Sequence, residues 1–274
     1  MASVNTNFGA MIALQNLNKT DAELTQVQNR INSGFKVASA KDNGATFAIA
    51  QSMRGKVAGY GVAADTVDKA MSTLDAAIAG GNSISDLLTQ LKEKATAAKD
   101  SSLTTAQRAA YNADFTRLRD EITSIVTNAE FNGANLIKAS GNNAVAFAND
   151  TGSSLITVTA VSFALSGTTN TITTSEAIDT VTKATTALTH INATITAVNK
   201  QLAVFGSASK ALQTHKNFLT SLSDTLQAGI GNLVDADMAK ESAKLSSLQV
   251  KQQLGAQALS IANSQASILL RFFQ

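Results

Sequence analysis

The sequence is notable first for what it lacks. No cysteine occurs in its 274 residues, which excludes disulfides, thiolate zinc sites and a cysteine nucleophile. Proline is absent, although average usage of ~5% would give roughly a dozen. Nothing therefore forbids very long helices, because proline is the strongest breaker of helix interiors. Tryptophan is also absent, and there are only two histidines, His190 and His215. That leaves little material for imidazole-based catalysis or metal binding. Twenty-two basic residues against 20 acidic ones leave a net charge of +2. So even a balance does not suit a polyanion binder, which needs clustered excess charge. No window holds ~18 apolar residues, so no membrane insertion is expected. The start, Met1 to Asn16, has neither a basic lead nor a long apolar stretch, so it is no secretory signal. Taken alone, these facts place the protein in the cytosol.

What is present is apolar periodicity. The hydrophobic fraction is 44% but aromatics make up only 5%, so the apolar residues are small. They recur at alternating spacings of three and four, the coiled-coil signature. One stripe is Leu17, Leu24, Val27, Ile31; another runs from Val67 through Leu74 and Leu88 to Ala95. A third links Tyr111, Phe115, Leu118, Ile122 and Ile125. The longest extends from Ile178 to Leu226, and the last runs from Met238 through Leu245, Leu248, Gln252, Gly255 and Leu259 to Leu269. As a single helix the longest stripe would span roughly 75 Å. Ser33-Gly34, Asn43-Gly44, Asn132-Gly133 and Gly229-Ile230-Gly231-Asn232 are the expected breaks, with a bend allowed at Gly80-Gly81. Asp235 and Asp237 suit the positive end of a following helix. About 140–175 the chain turns rich in Ser, Thr, Gly and Asn, with β-branched runs at Ala144 to Ala148 and Leu155 to Leu165. These predict a β-hairpin. The expected fold is mainly α: an elongated rod of long coiled-coil helices with the hairpin at its distal end.

Each terminal helix has one narrow apolar stripe and little else to bury. Isolated helices of that kind are marginal in water, so the two should pair with each other or with copies. The chemistry-bearing residues read blandly. His190 and His215 stand 25 positions apart and neither lies in an H-E-x-x-H motif. Asp235, Asp237 and Glu241 fit a helix start better than a carboxylate dyad. Arg30, Lys36 and Lys41 form a mild basic cluster near Asp42. No enzyme activity and no cofactor or metal is expected.

Three separated motifs resemble the bacterial flagellins. The first comprises VNTN (Val4–Asn7), ALQNLNKTDAEL (Ala13–Leu24) and RINSGFKVASAKDNGATFAIA (Arg30–Ala50). The second is FTRLRDEITSIVTNAEFNGANLI (Phe115–Ile137), with its FNG turn. The third runs from Asn232 to Phe273 and contains DADMAKES and QQLGAQALSIAN. The resemblance spans nearly the whole chain outside 140–175. It implies a subunit that self-assembles into the helical flagellar filament, the swimming propeller. A hook–filament junction adaptor, or another secreted helical flagellar protein, is the alternative.

The resemblance implies an inner D0 layer of residues 1–35 paired with 236–274, and a D1 helical part, 36–235, carrying the hairpin. It makes Leu17, Leu24, Val27 and Ile31, with Leu245, Leu248, Leu259 and Leu269, the self-assembly seams. Arg30, Ser33, Gly34, Asp235 and Asp237 become the D0–D1 joint. It also reverses the cytosolic reading, since flagellins are exported unfolded through the flagellar type III apparatus and lie outside the cell. Further copies, filament cap and junction proteins, an export chaperone and the export gate are the implied partners; no nucleic acid is. Thr151, Ser153, Ser154, Thr168, Thr169 and Thr171 are candidate O-glycosylation acceptors. Flagellins sensed by the animal flagellin receptor show a segment resembling L-Q-R-V-R-E-L-A. Here Leu88 to Ala95 places Gln90 and Lys94 where that pattern has Arg and Leu, which implies weak receptor activation.

Overall fold

The computed structural model describes the backbone of residues 6–271 and the side-chain surroundings of residues 6–264. Its elements in order are α1 (Phe8–Ser33), α2 (Gly44–Ala98), α3 (Thr105–Asn128), β1 (Ala144–Phe147), β2 (Leu155–Val158), α4 (Val181–Val234) and α5 (Met238–Arg271). The mainly helical fold with one small hairpin is as the sequence predicts. Two compact units emerge: a terminal unit of 1–55 with 225–274, and a middle unit of 56–224.

Local chemistry sets the helix ends. Asn7 caps α1 by accepting the Ala10 N–H at 3.1 Å. Gly34, at φ 75, closes that helix with its N–H on Arg30 O. A left-handed residue there favours glycine, which lacks the Cβ that would clash. The Asn43 side chain accepts the Thr46 N–H at 3.0 Å and starts α2. Thr104 and Gln107 form a reciprocal capping box on α3. From the first turn of α3, Arg108 donates to the carbonyls of Ala98 and Asp100, fastening the turn after α2.

In the middle unit, α2, α3 and α4 share one core. Buried positions on α2 step through Ala63, Val67, Ala70, Leu74 and Ala77, then Ile84, Leu88, Leu91, Ala95 and Ala98. On α4 they step by sevens through Ile191, Val198, Phe205, Leu212 and Leu219. These correspond to the second and the longest of the sequence stripes. The helices run antiparallel: Asp68 pairs with Lys216 at 2.6 Å, and Ser85 donates to Asn199 at 3.3 Å. α2 runs unbroken through Gly80 and Gly81, which admit neighbours. A Cβ at Gly81 would lie 2.6 Å from Leu202 Cδ2, and one at Gly80 would lie 2.8 Å from the Ala129 Cβ. Helix interiors disfavour glycine by about 1 kcal/mol relative to Ala, so close approach is what the pair contributes.

Three expectations are corrected. First, α4 does not stop at Gly229–Asn232 but continues to Val234. A Cβ at Gly229 would sit 3.0 Å from Met53 Cε, so this glycine too serves contact rather than termination. Second, strand structure ends at Val158 rather than Leu165. The chain beyond drops inward instead, with Phe163, Ile172 and Ile178 fully buried. Phe163 is held by its N–H on Ile137 O at 2.8 Å, and buried Asn170 donates to Phe163 O. Third, the hairpin is not at the far end of the helices. β1 and β2 pair antiparallel with Ala144 opposite Val158 and Phe147 opposite Leu155. Its turn rests on the part of α2 and α4 nearest residues 56 and 224. Phe147 N–H donates to Thr66 Oγ1, Ala148 O meets His215 Nε2 at 3.2 Å, and the Asp150 backbone lies against Gly59. Only glycine fits at 59, since a Cβ would come within 2.4 Å of Asp150 O.

Candidate assembly site

The terminal unit is built on an antiparallel pair of α1 and α5. As numbers rise from 7 to 30 along α1, partners fall from 262 to 241 along α5. Asn7 Nδ2 donates to Ala262 O at 2.8 Å, Gln252 Nε2 donates to Asp21 Oδ1 at 2.8 Å, and Arg30 Nη1 donates to Glu241 Oε1 at 3.2 Å. The positions withdrawn from solvent include Ala10, Ala13, Leu17, Thr20, Leu24, Val27 and Ile31 on α1. On α5 they are Glu241, Leu245, Leu248, Gln252, Gly255, Leu259 and Ala262. Both sets alternate threes and fours, as a two-helix seam requires.

Seven of the eight seam residues named from sequence therefore lie on this seam. Leu269 lies on α5, but its side chain is outside the described residues. Burial along the seam is thin, and among the described residues of these two helices only Val27 and Leu248 are fully buried hydrophobics. Apolar groups of similar size face outward. On α1 these are Phe8 (66% exposed), Met11, Ile12 and Leu14; on α5 they are Val250, Leu254 and Ile261 (62%).

The named joint residues also gather. Phe35 and Asp235 form an antiparallel bridge. Lys36 N–H reaches Val234 O at 2.8 Å, and Ala236 N–H reaches Gly34 O at 2.8 Å. Lys36 Nζ donates to Asn232 O. Asp237 starts α5, accepting the Lys240 N–H on Oδ1 at 3.1 Å. Ser33 Oγ accepts the Phe35 N–H. Asp42 gathers Ala38 N–H, Ser39 N–H and Ser39 Oγ on one oxygen. Those donors, the Ser39 N–H foremost, hold its carboxyl below the usual carboxylate range. Beside them the Arg30–Glu241 pair is incomplete: Arg30 Nε and Glu241 Oε2 are buried without a hydrogen-bond partner. Sequence reasoning missed the cross-helix partners Asp21 and Glu241. The available signal was charged or polar residues at or beside heptad seam positions.

In the middle unit, His190 Nδ1 lies 3.1 Å from Glu176 Oε2, and Ala148 O occupies His215 Nε2. Among the described residues no group of three or more His, Cys, Asp or Glu side chains could hold a metal. No described helix is long and apolar enough to cross a membrane. Of the proposed acceptor hydroxyls, Thr151, Ser153, Ser154 and Thr168 are exposed, whereas Thr169 is buried. Thr171 Oγ1 donates to His190 O at 3.1 Å. In the receptor-like segment Leu88, Leu91 and Ala95 are fully buried, and Gln90 is exposed. Lys94 pairs with Asp114 at 2.8 Å.

Family comparisons decide what this assembly of helices is. The bacterial flagellin N-terminal helical region matches residues 4–144, and the flagellin C-terminal helical region matches 188–273. The chain belongs to the bacterial flagellins. Flagellin FljK of Caulobacter vibrioides is 49% identical over 276 residues, covering 99% of this chain and 98% of that protein. A Brucella melitensis flagellin is 34% identical over 285 residues, covering all of both. Among solved structures, a Vibrio parahaemolyticus protein described as a flagellar hook-associated protein aligns with TM-score 0.59 at 13% identity. It covers 71% of this flagellin and all of that chain, a likeness of fold alone. Flagellins are structural proteins, and the features of this one are those of a subunit with faces left to cover.

Proposed function

We propose that this flagellin polymerises into the helical filament of the bacterial flagellum through α1 and α5, which form an inner D0 layer. The observation that carries the reading is the terminal unit's uncovered apolar surface: residues as large as those in its own seam stand exposed on its outer faces. Copies packing against Phe8, Met11, Ile12, Val250, Leu254 and Ile261 would bury them at ~25 cal/mol per Å². Repeated heterologous contacts of that kind propagate an open helix instead of closing a ring.

The bridge between Phe35 and Asp235 supports a D0–D1 joint there, with 1–35 and 236–274 on one side and 36–235 on the other. Arg30, Ser33, Gly34, Asp235 and Asp237 hold that joint. Export unfolded through the flagellar type III apparatus suits a chain with no cysteine to cross-link in transit. Chaperone, export gate, cap and junction proteins would be its other partners. The exposed hydroxyls of Thr151, Ser153, Ser154 and Thr168 are the acceptors best placed for O-glycosylation. A junction-adaptor role is not favoured, because both terminal flagellin regions match and the full-length relatives are flagellins.

The test is elongation of sheared filament seeds by purified subunit, imaged by electron microscopy. A chain ending before Met238 is the control. Growth from the intact chain alone supports the reading. No growth under conditions that polymerise another flagellin overturns it, and growth from the truncated chain removes α5 from the mechanism.

A further inference from the structure

The apolar seam of α1 and α5 repeats every seven residues on both helices, so it tolerates a slip of seven. In the observed register Leu17 packs on Gly255, where a Cβ would lie 3.3 Å from Leu17 Cδ1. Sliding one way puts Leu17 on Ala262 and Leu24 on Gly255, again a large residue over a small one. Sliding the other way puts Leu17 on Leu248. Hydrophobic burial alone discriminates poorly between these arrangements. The polar contacts discriminate well. The first slip places Gln252 against Val27 and strands Asp21; the second places Glu241 against Leu24. Either slip breaks both the 2.8 Å Gln252–Asp21 bond and the Arg30–Glu241 contact. A polar group buried without its partner is strongly disfavoured, and polar seam residues are the best-attested register devices in paired helices.

We infer that Asp21 and Gln252, seconded by Arg30 and Glu241, are the register-determining residues of the terminal helix pair. They would fix which outward apolar residues each subunit presents to its neighbours. This rests on the assembly reading above, because the register matters where copies pack.

The chain has no cysteine, so introduced pairs report register cleanly. Leu24→Cys with Leu248→Cys reports the observed register. Leu17→Cys with Ala262→Cys reports one slip, and Leu17→Cys with Leu248→Cys reports the other. Filaments elongated from seeds are oxidised, and cross-linked chain is measured on non-reducing gels. Each reporter is carried in three backgrounds: unaltered, Asp21→Leu with Gln252→Leu, and the swap Asp21→Gln with Gln252→Asp. Removing the bond should raise the slipped-to-observed ratio about tenfold, the scale of one hydrogen bond and its desolvation. The swap should return the ratio to the unaltered value. An unchanged ratio in the leucine background overturns the inference. So does a swap that slips as far as the leucine pair. Should the leucine pair fail to elongate, elongation by the swap supports the inference and its failure overturns it. If the unaltered chain does not elongate, the assembly reading falls and takes the register claim with it. If it elongates and the ratios do not move, only the register claim falls.

Discussion

The two units of this flagellin use the same heptad grammar with opposite economies of burial. The middle unit packs Phe115, Phe163, Phe205, Leu74 and Leu88, all fully buried, into one continuous core, although Phe131 and Phe218 stay exposed. The terminal unit buries Val27, Val37, Ala50, Ile230, Val234 and Leu248, and shows solvent Phe8, Met11, Ile12 and Leu254. Full burial of a Leu or Phe side chain contributes about 1.5–3 kcal/mol. The middle unit therefore has ample apolar stabilisation of its own, and the terminal helices have little. The contrast teaches that a repeating seam specifies pairing without ensuring independent stability. In the proposed filament, neighbouring copies would supply the cover that the terminal helices lack.

The contrast is most sharply broken by core truncation. Phe205→Ala should destabilise the free subunit by about 3–5 kcal/mol, read by urea unfolding. Leu254→Ala, on the outward face, should leave that transition almost unmoved and slow seeded elongation strongly. Equal effects of both on the free subunit would erase the distinction. A smaller effect is expected at Gly81→Ala. Its new Cβ meets the end of the flexible Leu202 side chain and the Phe163 ring, so overpacking should destabilise by about 1–3 kcal/mol in the same assay. Thr104→Ala removes the α3 capping box and should lower stability by about 1 kcal/mol, a shift in melting of a few degrees at most.

The smallest effect concerns pH. The hydrogen bond from Lys94 holds the exposed Asp114 carboxyl below its usual value of 3.8, while that same bond raises Lys94 above 10.5. A depressed carboxyl contributes stability above its unfolded value, and the contribution fades as pH falls through the folded value. The raised lysine's contribution is present below its unfolded value and is lost as pH climbs through the folded one. Asp114→Asn should therefore slightly flatten the acid side of the melting profile and leave pH 7 to 9 parallel to the unaltered chain. Solvent screening keeps the change small. A steeper acid dependence in Asp114→Asn would contradict the assigned role.

Much of this was legible in the sequence because its signals are periodic or local. The heptads of α2 and α4 mark the core. Ser33-Gly34 and Asn43-Gly44 mark helix ends through a left-handed cap and a side-chain cap. What escaped depends on distant partners. Gly229 and Gly231 look like a helix end, yet α4 passes through them, and their missing Cβ atoms leave room for Met53 at Gly229 and the Asp235 carboxylate at Gly231. Phe163 and Ile172 follow no period, so their burial depends on the Asn170 and Ile137 hydrogen bonds around them. The hairpin's position follows from Gly59 and Thr66, which carry no local signature of docking. Among the assembly-site residues, the leucines were readable as a stripe. The Asp21–Gln252 and Arg30–Glu241 contacts were not, because each joins residues over 200 positions apart.

Hydrogen–deuterium exchange, compared between free subunit and filament, tests the central claim most directly. Amides of α1 and α5 should exchange rapidly in the free subunit and become strongly protected in the filament. Amides of α2 and α4 between residues 63 and 219 should be protected in both. Protection of α1 and α5 in the free subunit equal to that of the middle unit would contradict the account.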